Sequence, residues 1–290
     1  MQEIKVLGAL NYESPSEHNY GDCILINDGT QLYVYDCGSK EHANEVIAYM
    51  DEKGIEQAVL VLSHNDSDHF NGIPTLLEGN RVSKIYTTLL LKYVDDILER
   101  IDDKRRTRES VKKAILEKYS NIAKLTGAPI VDIYEEKWEL SNEINFVGPD
   151  KEYMLDTVAK NLDGREGNTT DGETNVNATS IQLSVSIAGH KLILCGDCAF
   201  AAIQDKLEDY DVIQLPHHGK TEQAEKIFDE KASDIHTYYI ISDNTGNTNG
   251  GSDGLDTTGH KVYNTKVKGD ICINANFFNA NMTKRVGGLG

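Results

Sequence analysis

Four apolar segments of this chain each end in an acid or a histidine with a glycine close by, and this repeated pattern restricts the fold more than any other feature. The segments end at Asp36, at the run that begins with His64, at Asp197 and at His217. Short apolar runs bounded by turn residues are typical of buried strands. Because the carboxyl ends of parallel strands meet at one edge of an α/β sheet, we expect these polar side chains to converge there.

The densest of these clusters reads H-N-D-S-D-H over residues 64–69. Asp, Asn and Ser form turns, so a solvated loop after a strand explains the aspartates. It does not explain His64 and His69, or the alternation that sets Asp66 and Asp68 two and four positions after the first histidine. Imidazole nitrogens and carboxylate oxygens bind divalent first-row metals, so the segment favours a metal site.

Strands and helices are predicted to alternate along the chain, with Asp28-Gly29 as a hairpin turn. Because they interleave without an evident linker, we expect one α/β domain over residues 1–290. Polar stretches at 161–177 and 243–254 are expected to be loops, and the glycines at 287–290 a frayed tail. Strands are predicted at 5–10, 22–26, 31–35, 58–62, 84–91, 180–187, 190–195, 212–215, 238–242 and 261–273, and helices at 40–53 and 72–78.

Residues 93–127 differ from the rest, because their apolar positions are spaced for one or two amphipathic helices and charges crowd the other faces. The one dense basic cluster of the chain lies here and includes Arg105 and Arg106. We favour a solvated helix junction for this cluster, with a grip on substrate phosphate beside the site as the alternative.

The charge and cysteine content narrow the classes of protein. The formal net charge is −18, which repels nucleic acid at long range and counts against a protein that coats DNA. No apolar run approaches the length that spans a bilayer. The first ten residues lack a secretory signal pattern, so we expect a cytoplasmic protein whose 5 cysteines are reduced. Cys195 and Cys198 form a C-x-x-C spacing, but we expect packed thiols there because Cys195 falls within a strand.

The motifs together resemble the metallo-β-lactamase-fold hydrolases, whose signature is H-x-[HD]-x-D-H. The aspartate at the third position, followed by F-N-G-I, resembles the branch that contains the hydrolase domain of the competence protein ComEC. Further segments are similar to that branch and follow the same order over about residues 4–275. They are Y-G-D-C-I-L-I, Y-V-Y-D-C-G, the N-x-x-S element at 177–180, L-I-L-C-G-D, I-Q-L-P-H-H-G-K and the closing K-V-Y-N-T-K-V-K-G-D-I.

This resemblance implies a four-layer αβ/βα sandwich with residues 93–127 as a helical insertion, and two divalent ions, Zn or Mn. By resemblance, His64 and Asp66 would hold the first ion and Asp197 would bridge both. The second ion would take one histidine of the 217–218 pair. We expect His217 there, because it comes first after the strand, with His218 contacting substrate or donating a proton. The second ion's other implied ligands are Asp68, which would also orient the nucleophile, and His69.

The sequence departs from the family at several positions. Lys220 stands where the family usually has Ser, and Asn177 stands about where other members place a further histidine ligand. We expect both residues, with Arg105 and Arg106, to contact substrate. The membrane channel of a competence protein is absent.

The leading hypothesis for function is a phosphodiesterase or nuclease that acts on a nucleic acid or nucleotide. It would use a dinuclear metal site with a bridging hydroxide, and no membrane partner is expected. The alternatives are a hydrolase of a lactone, an ester or a phosphocholine ester, and a non-catalytic metal-stabilised module in a defence or signalling assembly. The complete ligand set argues against the module, because a structural site needs no open position.

Overall fold

The computed structural model describes residues 2–163, 174–247 and 251–283. Within these ranges no helix has both the length and the apolar character needed to cross a bilayer. The strands are β1 (Glu3–Val6), β2 (Ile24–Asn27), β3 (Leu32–Tyr35), β4 (Ala58–Val61), β5 (Val82–Thr87), β6 (Ile130–Asp132), β7 (Ile144–Gly148), β8 (Gln182–Ile187), β9 (His190–Leu194), β10 (Val212–Gln214), β11 (Tyr238–Ile241), β12 (Lys261–Asn264) and β13 (Ile271–Ile273). The helices are α1 (Lys40–Lys53), α2 (Ser67–Phe70), α3 (Ile73–Glu78), α4 (Val94–Arg100), α5 (Arg108–Lys118), α6 (Lys151–Leu162), α7 (Pro216–Gly219), α8 (Thr221–Glu230), α9 (Thr265–Lys268) and α10 (Ala275–Thr283).

The strands form two sheets. One has the order β13-β1-β2-β3-β4-β5-β6 and the other has the order β12-β11-β10-β9-β8-β7. Strands β3 to β6 pair in parallel, as do β9 to β12. The carboxyl ends of β3 and β4 therefore lie at one edge of the first sheet, and those of β9 and β10 lie at one edge of the second.

Three apolar clusters place the layers. Ile26 and Leu183, from different sheets, belong to one buried cluster between the sheets. Met50 of α1 belongs to a second cluster, which covers the outer face of the first sheet. Ile227 of α8 belongs to a third, which covers the outer face of the second sheet. The order is helix, sheet, sheet, helix, so the predicted four-layer αβ/βα sandwich is confirmed.

Helix α1 follows the prediction to the residue because both of its ends are encoded locally. The Ser39 side chain accepts a hydrogen bond from the backbone N–H of His42 at 3.1 Å and caps the first turn. Gly54 ends the helix with φ +68°, a left-handed conformation that glycine adopts without a steric cost. The expected insertion also forms two helices, α4 and α5, with short 3-10 turns beside them at Leu90–Tyr93 and Ile122–Lys124.

Three strand predictions were wrong at their boundaries. The strand predicted at 5–10 is β1, which spans Glu3–Val6. The strand predicted at 84–91 ends at Thr87, because the buried carboxylate of Asp132 accepts the N–H of Leu89 at 2.8 Å and turns the chain. The strand predicted at 261–273 is two strands in different sheets, separated by α9. Asn264 caps that helix by accepting the N–H of Lys266, and Gly269 leaves it at φ +69°.

Other elements were not foreseen. They include β6, β7, α6 and α10. Most of the loop predicted at 161–177, the centre of the loop at 243–254 and the tail at 287–290 lie outside the described residues.

Candidate metal centre

The predicted polar side chains meet where the carboxyl ends of four strands from the two sheets face one another. Asp36 follows β3, the H-N-D-S-D-H run follows β4, Asp197 follows β9 and the histidine pair follows β10. Side chains that are far apart in sequence therefore share one site.

Asp197 lies at the centre of this site. Its carboxylate is buried, and a histidine Nε2 approaches it from each of four directions. The Nε2 atom of His69 lies 3.3 Å from Oδ1, and those of His64, His217 and His218 each lie 3.8 Å from Oδ2. One buried carboxylate surrounded by four imidazoles is a donor set that suits divalent cations.

The remaining side chains divide the site into two halves. In the first half, His64 Nε2 lies 3.5 Å from an Asp66 oxygen, and the amide of Asn177 lies 3.3 Å from His217 Nδ1. In the second half, His218 Nε2 lies 3.2 Å from Asp68 Oδ2, and its ring lies 5.4 Å from that of His69. It is therefore His218 that contacts Asp68, while His217 faces the first half.

Asp36 fixes two of the histidines. Its Oδ2 contacts His69 Nδ1 at 2.8 Å, and its two oxygens accept the backbone N–H and the hydroxyl of Ser63, both at 2.7 Å. The same hydroxyl lies 2.9 Å from His64 Nδ1. Because that hydroxyl donates to Asp36, it accepts from His64. Both histidines thus direct Nδ1 to these partners and Nε2 toward Asp197, so that a proton stays on Nδ1 when Nε2 binds a metal ion.

Asp22 orients His218 through the Nδ1 atom of that ring, as Asp36 orients His69. Its carboxylate is fully buried and lies 3.0 Å from His218 Nδ1, which also approaches the carbonyl of Ser242 at 3.1 Å. Sequence analysis did not assign a role to Asp22 or to Asp36. The signal for Asp36 was its strand-end position, and the signal for Asp22 was the acid directly before the first apolar run of the Y-G-D-C-I-L-I segment.

The turn that presents Asp197 is held by two further side chains. Gln214 Oε1 accepts the backbone N–H groups of Cys195 at 2.7 Å and Gly196 at 3.2 Å. Ser180 Oγ accepts the N–H of Asp197 itself at 3.2 Å. Cys195 and Cys198 are buried free thiols, as expected, and the C-x-x-C spacing forms no separate site.

Backbone strain is concentrated at this site. Asp36, His217 and His218 have φ of +60°, +54° and +55°, a region that residues other than glycine rarely adopt. Such conformations cost about 1–3 kcal/mol each and persist where the surrounding structure enforces them, typically at functional sites. Gly38 shows how tightly the loops pack, since a Cβ there would lie 2.1 Å from the Asp68 carbonyl oxygen.

The electrostatics favour cations. Burial alone would raise the pKa of Asp197, but His69 and His218 outweigh it and hold that pKa well below its usual range. Burial lowers the pKa of His69, yet Asp197 and Asp36 raise it well above its ordinary value. Burial also raises the pKa of Asp68, but hydrogen bonding to His218 and the charge of His69 bring it below its usual range. The carboxylates therefore stay charged and attract positive charge.

Several buried polar atoms lack a hydrogen-bond partner. Among the described residues, those at this site include His64 Nε2, His69 Nε2, Asp197 Oδ1 and Asp22 Oδ2. A buried acceptor left in this state costs about 1–3 kcal/mol, unless another group satisfies it. Ligand atoms of Asp22, His69, Asp197 and His218 also lie within 4.8 Å of one another. These donors fit divalent metal ions, which coordinate imidazole nitrogen and carboxylate oxygen together.

The weaker candidates are placed differently. Lys220 is about half exposed, with its ammonium 3.9 Å from Glu222. Arg105 forms an ion pair with Asp103, and Arg106 donates to the Leu162 carbonyl. Lys220 follows the histidine pair directly and donates its backbone N–H to the His217 carbonyl at 3.0 Å. For all three residues, contact with substrate stays a prediction.

Comparison with known proteins agrees with this geometry. The sequence profile of the Metallo-beta-lactamase superfamily matches residues 18–241. A diphosphatase from the PhnP family has a similar fold, with a TM-score of 0.50, 14% identity, and coverage of 94% of this chain and 98% of that one. The metallo-beta-lactamase fold protein YhfI from Bacillus subtilis gives a TM-score of 0.51, 12% identity, and coverage of 94% and 99%. No curated protein sequence matches the chain significantly.

The chain belongs to the metallo-β-lactamase superfamily, because that match spans well over half of its length. Members of this superfamily are metal-dependent hydrolases, and the His/Asp cluster has the side chains that such a hydrolase needs.

Proposed function

We propose that this protein is a phosphodiesterase with two divalent metal ions, in the ComEC-like branch of its superfamily. One observation carries the proposal: Asp197 is surrounded by four histidines, and Asp66 and Asp68 add two more carboxylates, one in each half of the site. Three carboxylates beside four imidazoles make the site harder than one of histidines alone, and hard ions suit phosphate oxygens.

The two halves would each hold one ion. His64, Asp66 and His217 would hold the first, and Asp68, His69 and His218 the second, with Asp197 shared. Sequence analysis gave the second ion to His217 and a substrate contact or proton donation to His218. We now propose His218 for the second ion, because it lies beside Asp68, and His217 for the first. When bound, such ions lower the pKa of a water molecule and neutralise the charge that develops on the phosphoryl oxygens.

Asp68 would orient the nucleophile. The amide of Asn19 donates to its Oδ2 at 2.8 Å, and His218 approaches the same oxygen, so the carboxylate has a defined orientation. Its low pKa keeps it charged at neutral pH. A charged carboxylate in a fixed orientation accepts a hydrogen bond from a water molecule and directs its lone pair toward the substrate.

The metal identity is part of the proposal. Zn and Mn both accept this donor set. Because of the three aspartates, Mn competes with Zn for this site better than it would at a site of histidines alone. We expect Mn to support activity at least as well as Zn.

A lactone or ester is the second candidate substrate class, and the net charge of −18 favours it because a neutral substrate is not repelled. The test is metal analysis followed by assays with Mn or Zn on bis(4-nitrophenyl) phosphate, cyclic dinucleotides, RNA, single- and double-stranded DNA, esters and lactones. We expect hydrolysis of phosphodiesters that chelators abolish.

His64→Gln should abolish that activity, and His190→Gln, at the opposite end of β9, should leave it unchanged. Cleavage of esters alone would replace the phosphodiesterase proposal with the second candidate. A protein that binds metal but hydrolyses nothing would favour the non-catalytic module.

A further inference from the structure

An apolar cavity of about 260 Å³ lies between the helical insertion and the end of β5. We call it the insertion cavity. Neither the metal centre nor its ligands account for it. The apolar side chains that line it are Leu89, Leu91, Tyr119, Ile122, Leu125 and Ile130.

Asn65 ties this cavity to the metal centre. It is buried between His64 and Asp66 in the chain, and both ends of its side-chain amide bind the backbone of the insertion. Its Nδ2 donates to the Lys118 carbonyl, and its Oδ1 accepts the N–H of Ile122 at 3.2 Å. The cavity wall is thus bonded directly to the residue between two proposed ligands of the first ion.

Tyr119 makes a second connection. Its ring lines the cavity, while its hydroxyl donates to the Asn175 carbonyl at 2.9 Å and contacts Thr179 Oγ1 at 3.2 Å. The segment between these residues carries Asn177, whose amide lies 3.3 Å from His217 Nδ1. Tyr119 therefore joins the cavity to the segment 175–179, which also contacts the first half of the metal centre.

The lining of the cavity decides what it can bind. Over the described residues, no Lys, Arg, Asp or Glu lines it, and the hydroxyls of Thr88 and Tyr119 already donate to backbone carbonyls. A nucleobase has ring nitrogens and exocyclic groups that cost free energy when buried without partners, and a second phosphate needs a cation. An aliphatic chain needs neither.

We propose that the insertion cavity binds an aliphatic group of the substrate while the phosphoester lies at the metal centre. This rests on the phosphodiesterase function proposed above and narrows its substrate from nucleic acid to a small amphiphilic phosphodiester. Each methylene buried in such a cavity strengthens binding about fourfold, the equivalent of about 0.8 kcal/mol. Because Leu91 is partly exposed at the edge, the gain is expected to stop once the chain outgrows the cavity.

Binding is measured separately from catalysis. Titration calorimetry of the metal-loaded protein with methyl-, butyl- and octylphosphonate should give affinities that rise two- to fourfold per methylene. Ala123→Phe, which adds a ring at the exposed side of the cavity, should flatten this series. Ala232→Phe is the matched control. Ala232 is also exposed, and it lies before the amino-terminal end of β11, whereas the metal centre lies at the carboxyl ends of the strands. Leu91→Gln is a second variant that keeps the fold but makes the rim polar.

The kinetic arm uses 4-nitrophenyl phosphodiesters with methyl, butyl, octyl or thymidine groups. We expect kcat/KM to rise from methyl to octyl, and Ala123→Phe to remove that rise. Affinity that rises with chain length without hydrolysis would support the cavity and overturn the phosphodiesterase. Hydrolysis with equal kcat/KM and affinity for all alkyl groups would overturn the cavity alone, as would a preference for the thymidine ester.

Discussion

Replacing Asp36 with Asn tests whether the buried carboxylates set the protonation of the metal ligands. Asp36 accepts three hydrogen bonds, two from Ser63 and one from His69 Nδ1. An asparagine side chain has one acceptor oxygen and one NH₂ donor. Whichever way the amide turns, at least one donor then faces another donor, or His69 moves its proton from Nδ1 to Nε2.

Each outcome has a magnitude. A buried donor left unpaired costs about 1–3 kcal/mol, so the metal-free variant should lose about that much free energy of unfolding. A proton on Nε2 removes the lone pair that would bind the ion. Loss of such a supporting carboxylate typically weakens metal affinity about 10- to 100-fold. We expect both losses in Asp36→Asn, measured by denaturant unfolding in chelator and by competition titration with a metal indicator.

Asp132→Asn is the matched control. Asp132 is equally buried at the end of β6 in the same sheet, and its carboxylate also accepts three hydrogen bonds, from Leu89, Tyr93 and Tyr134. No histidine is among its partners. Asp132→Asn should therefore lower stability by a similar amount while metal affinity stays unchanged. Equal losses of metal affinity in the two variants would refute the tautomer argument, because they would trace to the fold alone.

Three other predictions concern single side chains. Asp197→Ala should lose both ions and all activity together, because the carboxylate is shared; elemental analysis that finds both ions retained would contradict this. His217→Gln and His218→Gln should each retain about one ion per chain, and metal-dependent spectroscopy with Co should show different remaining ligands. Burial lowers the pKa of His42 to about 4, from an ordinary value of 6.5. Because the unfolded chain takes up that proton first, the metal-free protein should lose stability as pH falls from about 6.5 to 4, by up to about 1.4 kcal/mol per pH unit. His42→Phe should remove that part of the slope in urea unfolding; identical slopes for the two proteins would refute it.

Local signals explain which parts of the fold were predictable. Helix α1 carries its own cap residues, and β4 carries a compact apolar run, so each was located from its own residues. The location of the site was predictable because its residues directly follow β4, β9 and β10. Parallel strands bring their carboxyl ends together. The splitting of residues 261–273 was not readable from periodicity, because it depends on pairing with β11 in one sheet and β1 in the other.

The candidate site was likewise predictable only where its residues form a local motif. A dense motif such as the one from His64 to His69 indicates metal binding from its own residues. The residues around Asp22 give no indication of its contact with His218, which lies 196 positions away. The order of the histidine pair was also beyond the sequence. It depends on left-handed backbone conformations of both residues, which bring two adjacent rings to the same oxygen of Asp197 but to different neighbours.

The two hydrogen bonds of Asn65 join the segment 64–69, which carries proposed metal ligands, to the helical insertion. Metal binding and occupation of the insertion cavity are therefore expected to be coupled. Linkage between two ligands is reciprocal, so any molecule that fills the insertion cavity and tightens metal binding must itself be bound more tightly, by the same factor, when metal is present. The protein would then hold its ions least firmly when no substrate is there. Lack of metal would weaken substrate binding and lack of substrate would weaken metal binding, so each would lower the activity further.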